Sequence, residues 1–224
     1  MAPNPLLAFP HGATLLGAAP EAHALDAARA RAPGLVCVDG GANALPPGVT
    51  PDAIIGDLDS IEDRAGWAAR LGEKLIHVAE QDSTDLEKCL MRVEAPFLIG
   101  CGFLGGRLDH ELAALHALVA DPRPVLLLGE TDLVFSAGTG LSLDLEEGDR
   151  VSIFPMRRVE AGPGAGLGWP IEGLVFHAGE KIGTSNIATG GRATLRFDRP
   201  GAALILPRAR LDAALAGLLN RPRS

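Results

Sequence analysis

Over the first 130 residues, short and nearly unbroken apolar runs alternate with helix-length amphipathic segments. TLLGAA (13–18) leads into an Ala-rich stretch over residues 21–32, GLVCVDGG (34–41) and AIIGD (53–57) follow, and a helical pattern spans residues 61–71. KLIHVA (74–79), PFLIGCG (96–102) and PVLLLG (124–129) come next, separated by helical patterns over residues 83–93 and 108–120. A strand covered on both faces has no polar side to alternate with, so these runs predict a parallel sheet with helices on either side. No clear opening strand precedes Ala13. Beyond Leu133 the texture changes: LVFSAGTGLSLDLEEGDRVSIFPM and TLRFDRPGAALILP are short, partly alternating runs broken by Gly, Pro and acidic turns. That pattern predicts a smaller antiparallel β-sandwich or barrel. A last amphipathic helix is expected over residues 209–220, with Leu211, Leu215, Leu218 and Leu219 as its apolar positions.

Composition narrows the class only slightly. Hydrophobic residues at 47% and charged residues at 21% are ordinary for a globular chain, and no run reaches the ~18 apolar residues of a membrane helix. The N-terminal apolar stretch has no basic lead and is interrupted by Pro10 and His11, so it reads as folded sequence. Three cysteines without a CxxC pair predict neither a disulfide framework nor a zinc site, and a reduced, cytoplasmic protein is the simplest expectation. A formal charge of −8 with no basic stripe argues against nucleic acid. An anionic partner such as a nucleotide would then need a divalent cation to offset repulsion.

The acids add most. GDLDS (56–60), QDSTD (81–85) and GGRLDH (105–110) all follow predicted strand ends, the edge where open α/β sheets bind ligands. In extended backbone Asp57 and Asp59 project to one side, and Asp82 and Asp85 share a face if a helix starts there. Capping competes: Ser60 with Asp63, and Asp82 with Asp85, have capping-box spacing, and Asp109 also precedes a helical segment. Capping does not account for Asp57 and Asp59 together, nor for acids gathered on one edge. The paired oxygen donors of Asp57 and Asp59 suit a hard cation such as Mg²⁺, which takes one or two carboxylates and fills its other sites with water and phosphate. DGGAN (39–43) and GCGFLGGR (100–107) put glycines where backbone N–H groups approach phosphates, and Arg107 can hold phosphate oxygens. His116 reads as a core or partly buried residue of its helix.

In this order, DGGAN (39–43), PDAIIGDLDS (51–60), QDSTDLEKCL (81–90), GGRLDH (105–110), GLGWPIEGL (166–174) and GTSN (183–186) resemble the thiamine pyrophosphokinase family. The resemblance implies a Rossmann-like α/β catalytic domain over residues 1–131 and a β-rich thiamine-binding domain over residues 132–224. It also implies transfer of the diphosphate of ATP to thiamine, and a homodimer with active sites between subunits. Asp57, Asp59, Asp82, Asp85 and Asp109 would then be catalytic, holding Mg²⁺ against the polyphosphate. Asp39, Gly40, Gly41, Asn43, Gly105, Gly106 and Arg107 would bind nucleotide and phosphate. Trp169 would stack on thiamine, and Ser185 and Asn186 would hydrogen-bond it. Two other readings keep the same acids: a diphosphokinase for another alcohol, such as a hydroxymethylpterin, and a non-catalytic sensor. A phosphohydrolase with an aspartate nucleophile finds no matching lysine context.

Overall fold

The apolar runs become strands buried along their whole length. A computed structural model describes residues 7–19, 22–80 and 82–221, and the chain divides into two compact units, Met1–Ala117 with Leu127–Glu130, and Leu118–Leu126 with Thr131–Ser224. In the first, β1 (Leu7–Ala8) precedes β2 (Ala13–Leu16), α1 (Ala22–Arg29), β3 (Gly34–Val38), β4 (Ala53–Gly56), α2 (Arg64–Leu71) and β5 (Leu75–His77). Then come α3 (Asp85–Leu90), β6 (Val93–Glu94), β7 (Leu98–Cys101), α4 (Leu108–Ala120) and β8 (Val125–Leu128), the division between units falling within α4 and β8. Strands β7, β2, β3, β4 and β5 lie side by side in that order, all parallel, with Ala13 opposite both Gly34 and Leu98 and Ile54 opposite Leu75. Every residue of β2, β3, β4 and β7 is buried, which is why their sequences carry no alternation. β1 is a two-residue strand paired with β6 outside this sheet, too short for a periodic signal.

From β2 the chain runs outward through β3 and β4 to β5, then returns to β7 on the other side of β2. The order therefore reverses between β2 and β7, and a crevice opens beyond the carboxyl ends of strands at such a reversal. Gly17 follows β2 and Gly102 follows β7; Gly17 N–H donates to the Cys101 carbonyl at 2.8 Å and Ala19 N–H to the Gly102 carbonyl at 2.9 Å.

The helix starts differ from the expected caps. Asp63, in left-handed backbone, caps α2 by accepting from Gly66 N–H at 3.1 Å. At α3 the capping box is Thr84 with Glu87: the Thr84 hydroxyl accepts from Glu87 N–H at 3.3 Å, and the Glu87 carboxylate from Thr84 N–H at 2.8 Å. Ser60 and Asp82 lie ahead of the residues that cap, Asp63 and Thr84, because α2 and α3 begin later than the pattern predicts. His116 is exposed on α4 rather than part of a core.

The second unit is β-rich. It holds β9 (Asp132–Ser136), β10 (Gly140–Leu145), β11 (Arg150–Pro155), β12 (Val159–Glu160) and β13 (Val175–Phe176), then β14 (Gly183–Ile187), β15 (Gly191–Arg196), β16 (Ala202–Pro207) and α5 (Leu211–Leu219). β14, β11, β16 and β9 pair antiparallel in that order, β10 pairs antiparallel with β15, and β12 with β13. α5 buries Leu211, Ala214, Gly217 and Leu218 and leaves Leu219 exposed. A cavity of about 390 Å³ between β10, β15 and α5 contains none of the predicted site residues. The three cysteines are free and buried, and burial pushes the Cys37 thiol far above its usual range. No helix among the described residues is long and apolar enough to cross a membrane.

Candidate active site

A cavity of about 530 Å³ opens at the reversal point in the first unit, and Gly17, Asp39, Gly40, Asp57, Asp85 and Lys88 are part of its lining. The strands end in turns whose backbone is unusual. Asp39 begins a 3-10 segment after β3 with φ +44°, and Leu58 follows β4 with φ +63°, a left-handed conformation that costs a non-glycine residue of order 1 kcal/mol. Leu58 tolerates it because its side chain is buried and its N–H donates to Asp39 Oδ1 at 3.0 Å. Asp57 and Asp59 therefore converge through a left-handed turn after Gly56, not through the alternation of a strand.

One carboxylate oxygen from each of Asp39, Asp57 and Asp59 lies within 4.8 Å of the other two. Asp39 thus joins the pair that the sequence singles out. Gly56 makes this approach feasible: a β-carbon there would stand 2.6 Å from Asp39 Cβ. Each acid is oriented. Asp57 Oδ1 accepts from Asp59 N–H at 3.4 Å, and Asp59 Oδ1 accepts from the Ser60 hydroxyl at 2.8 Å. Burial pushes the Asp39 carboxyl above its usual range against a hydrogen bond from Gly40 N–H, and the charges of Asp85 and Asp57 add to the rise.

Asp85, in the first turn of α3, accepts from the Lys88 ammonium at 3.0 Å, and Asp57 Oδ2 lies 3.8 Å from the same nitrogen. Burial alone would lower the Lys88 pKa; the hydrogen bond and charge of Asp85, with the charges of Asp57 and Glu80, leave it raised. Lys88 is not among the site residues expected from the sequence. Its signal was the spacing in STDLEK, which puts Lys88 one turn after Asp85 on the same helix face. Asp82 is exposed and outside this group, and its N–H donates to Glu80 at 2.9 Å.

The predicted nucleotide residues divide. Gly40 lines the cavity, while Gly41 is packed so tightly that a β-carbon would strike the Leu16 carbonyl. Asn43 ties the turn after β3 to the acidic turn: its amide donates to the Ser60 carbonyl at 2.8 Å and accepts from Glu62 N–H at 2.9 Å. Gly105, Gly106 and Arg107 are exposed, and Arg107 and Gly106 line the cavity. The Arg107 guanidinium makes a two-pronged contact with Asp109, at 2.7 and 3.2 Å, which lowers the Asp109 pKa.

In the second unit Trp169, Ser185 and Asn186 come together on β14 and the loop beside it. Trp169 is 59% exposed. Asn186 is buried and fixes the tryptophan backbone, accepting from Trp169 N–H at 3.1 Å and donating to the Trp169 carbonyl at 2.7 Å. Ser185 is exposed, with φ +61°, and its N–H donates to the Ser152 hydroxyl at 3.0 Å.

The profile described as Thiamin pyrophosphokinase, catalytic domain, matches residues 26–126. Thiamine pyrophosphokinase 1 of Oryza sativa subsp. japonica is 30% identical over 186 residues, covering 68% of this chain and 70% of that protein. Thiamine pyrophosphokinase 1 of Arabidopsis thaliana is 28% identical over 197 residues, covering 73% and 74%. Among solved structures, thiamin pyrophosphokinase from Candida albicans shares the fold with a TM-score of 0.74 at 16% identity, over 92% of this chain and 95% of that one. On the extent of these matches, and with its acidic turns at the strand ends, this chain belongs to the thiamine pyrophosphokinase family.

Proposed function

We propose that this chain is a thiamine diphosphokinase, which transfers the terminal diphosphate of ATP to the hydroxyethyl oxygen of thiamine and releases AMP. The observation that carries the reading is the Asp39–Asp57–Asp59 cluster beside a cavity at the sheet's reversal point. Its donor set is all carboxylate oxygen, without histidine or cysteine, and so fits a hard divalent cation such as Mg²⁺. When bound, the cation offsets the charge of the polyphosphate and polarises its oxygens. Asp57 and Asp59, with Asp39, would hold it, with Asp85 beside them at the start of α3; Asp82, exposed just ahead of that helix, would join them only through a shift of its segment.

The chain's own groups do the rest. Gly40, Gly41 and Asn43 shape the nucleotide end, and Gly105, Gly106 and Arg107 take phosphate oxygens, with Arg107 exchanging Asp109 for substrate. Asp109 then remains beside the phosphates as the partner to which Arg107 returns. The alcohol oxygen attacks the β-phosphorus in line with the departing AMP oxygen, so most of the rate comes from positioning and charge. A carboxylate of this group accepts the alcohol proton, and Asp85 is our assignment. Trp169 offers an indole face to the cationic thiazolium, and the Ser185 hydroxyl a polar contact for the aminopyrimidine. Asn186 serves thiamine through the Trp169 backbone that it fixes.

The same reading takes residues 1–131 as a Rossmann-like catalytic domain and residues 132–224 as a sandwich or barrel for thiamine. The parallel pairing of β2, β3, β4, β5 and β7 and the antiparallel pairing of β9, β11, β14 and β16 support it. We extend it to a homodimer with active sites between subunits. The exposure of Trp169 in the second unit, and of Leu108 and Leu112 on α4, gives such an assembly apolar surface to cover. A cytoplasmic location accords with three free, buried cysteines.

The test is to incubate the protein with ATP, Mg²⁺ and thiamine and to identify the products by mass. Thiamine diphosphate with equimolar AMP is expected. ADP with thiamine monophosphate would refute attack at the β-phosphorus, and a product only with a hydroxymethylpterin would refute thiamine as the substrate.

A further inference from the structure

Lys88 is a buried cation whose place needs a reason. Its side chain is 3% exposed, whereas the other Lys or Arg lining this cavity, Arg107, is 71% exposed and engaged with Asp109. Burying an ammonium costs several kcal/mol unless partners compensate, and α3 could have carried an aliphatic residue there at no such cost. The ammonium bridges two acids that different elements supply, Asp57 after β4 at 3.8 Å and Asp85 in α3 at 3.0 Å. It thereby fixes the distance between the turn after β4 and the first turn of α3.

The charge balance gives the bridge a second consequence. Asp39, Asp57, Asp59 and Asp85 together carry −4 when ionised, and Lys88 reduces this to −3. Four carboxylates alone would attract a bare divalent cation strongly and repel a polyphosphate just as strongly. A fixed internal ammonium weakens the first effect and relieves the second, because both scale with charge at short range in a site of reduced dielectric. Resting on the diphosphokinase reading, we infer that Lys88 is a positioning residue: held between Asp57 and Asp85, its ammonium keeps those carboxylates in register and biases the cluster toward a cation–polyphosphate complex over the bare cation.

Calorimetric titration tests this without turnover. Wild type, Lys88→Met and Lys88→Arg are titrated with Mn²⁺ alone, and then with Mn²⁺ plus α,β-methylene-ATP, whose α–β bridge resists the proposed transfer. Lys88→Met should bind Mn²⁺ alone at least about threefold tighter, and the Mn²⁺–nucleotide analogue about tenfold weaker. Lys88→Arg should bind Mn²⁺ alone as wild type does, because the charge is kept. Unchanged affinities in Lys88→Met, or losses of similar size for both ligands, would overturn the inference. If circular dichroism shows that the Met variant is unfolded, Lys88→Gln is read by the same criteria. Neither titration contains thiamine, so the two readings fail separately. A wild type that makes no thiamine diphosphate, yet shows these shifts, refutes the substrate and keeps Lys88. A wild type that makes it, with no shift in the variants, does the reverse.

Discussion

Asp57 has a carboxylate engaged at both oxygens, by Asp59 N–H and by the Lys88 ammonium, whereas Trp169 projects an exposed indole from a loop fixed through its backbone. At Asp57 the side chain itself is held, and at Trp169 the main chain is. Charge explains the difference. A carboxylate displaced by an ångström changes the field at a reacting phosphorus, so its oxygens themselves must be held. A stacking surface works over a broader range of offsets, and a loop in the right register is enough.

The widest gap between the two regions should come from Asp57→Asn. We expect kcat to fall by at least about a thousandfold while the melting temperature changes little. Near-normal turnover in that variant would dissolve the contrast from the acidic side. Trp169→Ala should raise KM for thiamine about tenfold and leave KM for ATP unchanged; equal rises for both substrates would remove Trp169 from the thiamine site. Asn186→Ala separates backbone fixing from stacking. It leaves the indole in place but removes two hydrogen bonds to its backbone, so a rise of about threefold in KM for thiamine should accompany a stability loss of about 1–3 kcal/mol. A stability loss with no change in KM would mean that the loop needs no such fixing.

The smallest effect concerns Asp39. Its folded carboxyl is raised above the unfolded value by burial, so the folded state favours the protonated form. The fold is then more stable below the ordinary carboxylate range, and that advantage is lost as pH rises through the raised folded value. Asp39→Asn keeps an acceptor for Leu58 N–H without the charge. In cation-free protein it should raise the melting temperature slightly at pH 7, and the gain should vanish as pH is lowered past the usual aspartate pKa. A gain independent of pH would show that burial of Asp39 carries no electrostatic cost.

What could be read from the sequence follows the same division. Strands β2, β3, β4 and β7 announced themselves because burial on both faces removes polar positions, and α4 matches its predicted span of residues 108–120 because its length gives periodicity room. Asp57 and Asp59 stood out because two acids at a strand end are hard to explain otherwise. Asp39 was assigned to nucleotide, since its approach to the pair depends on Gly56 and on positive φ at Asp39 and Leu58, which no pattern reports. Lys88 is hard to recognise from the sequence because burial of a charged side chain contradicts the usual reading of its residue type. Asn43 looked like a ligand-facing polar residue, and its amide instead joins two turns. The caps are not legible in the sequence because Ser, Thr and Asp crowd both starts, and only backbone geometry selects among them.

Leu58 has one further consequence. The residue between the two acids is a hydrophobic peg sunk in the core, so the turn is not an appendage free to melt ahead of its support. On heating, catalytic competence should persist until the first unit loses its packing, and the inactivation curve should coincide with the unfolding curve. Leu58→Gly would ease the backbone and withdraw the peg. In that variant, heat should silence the enzyme several degrees before the fold gives way.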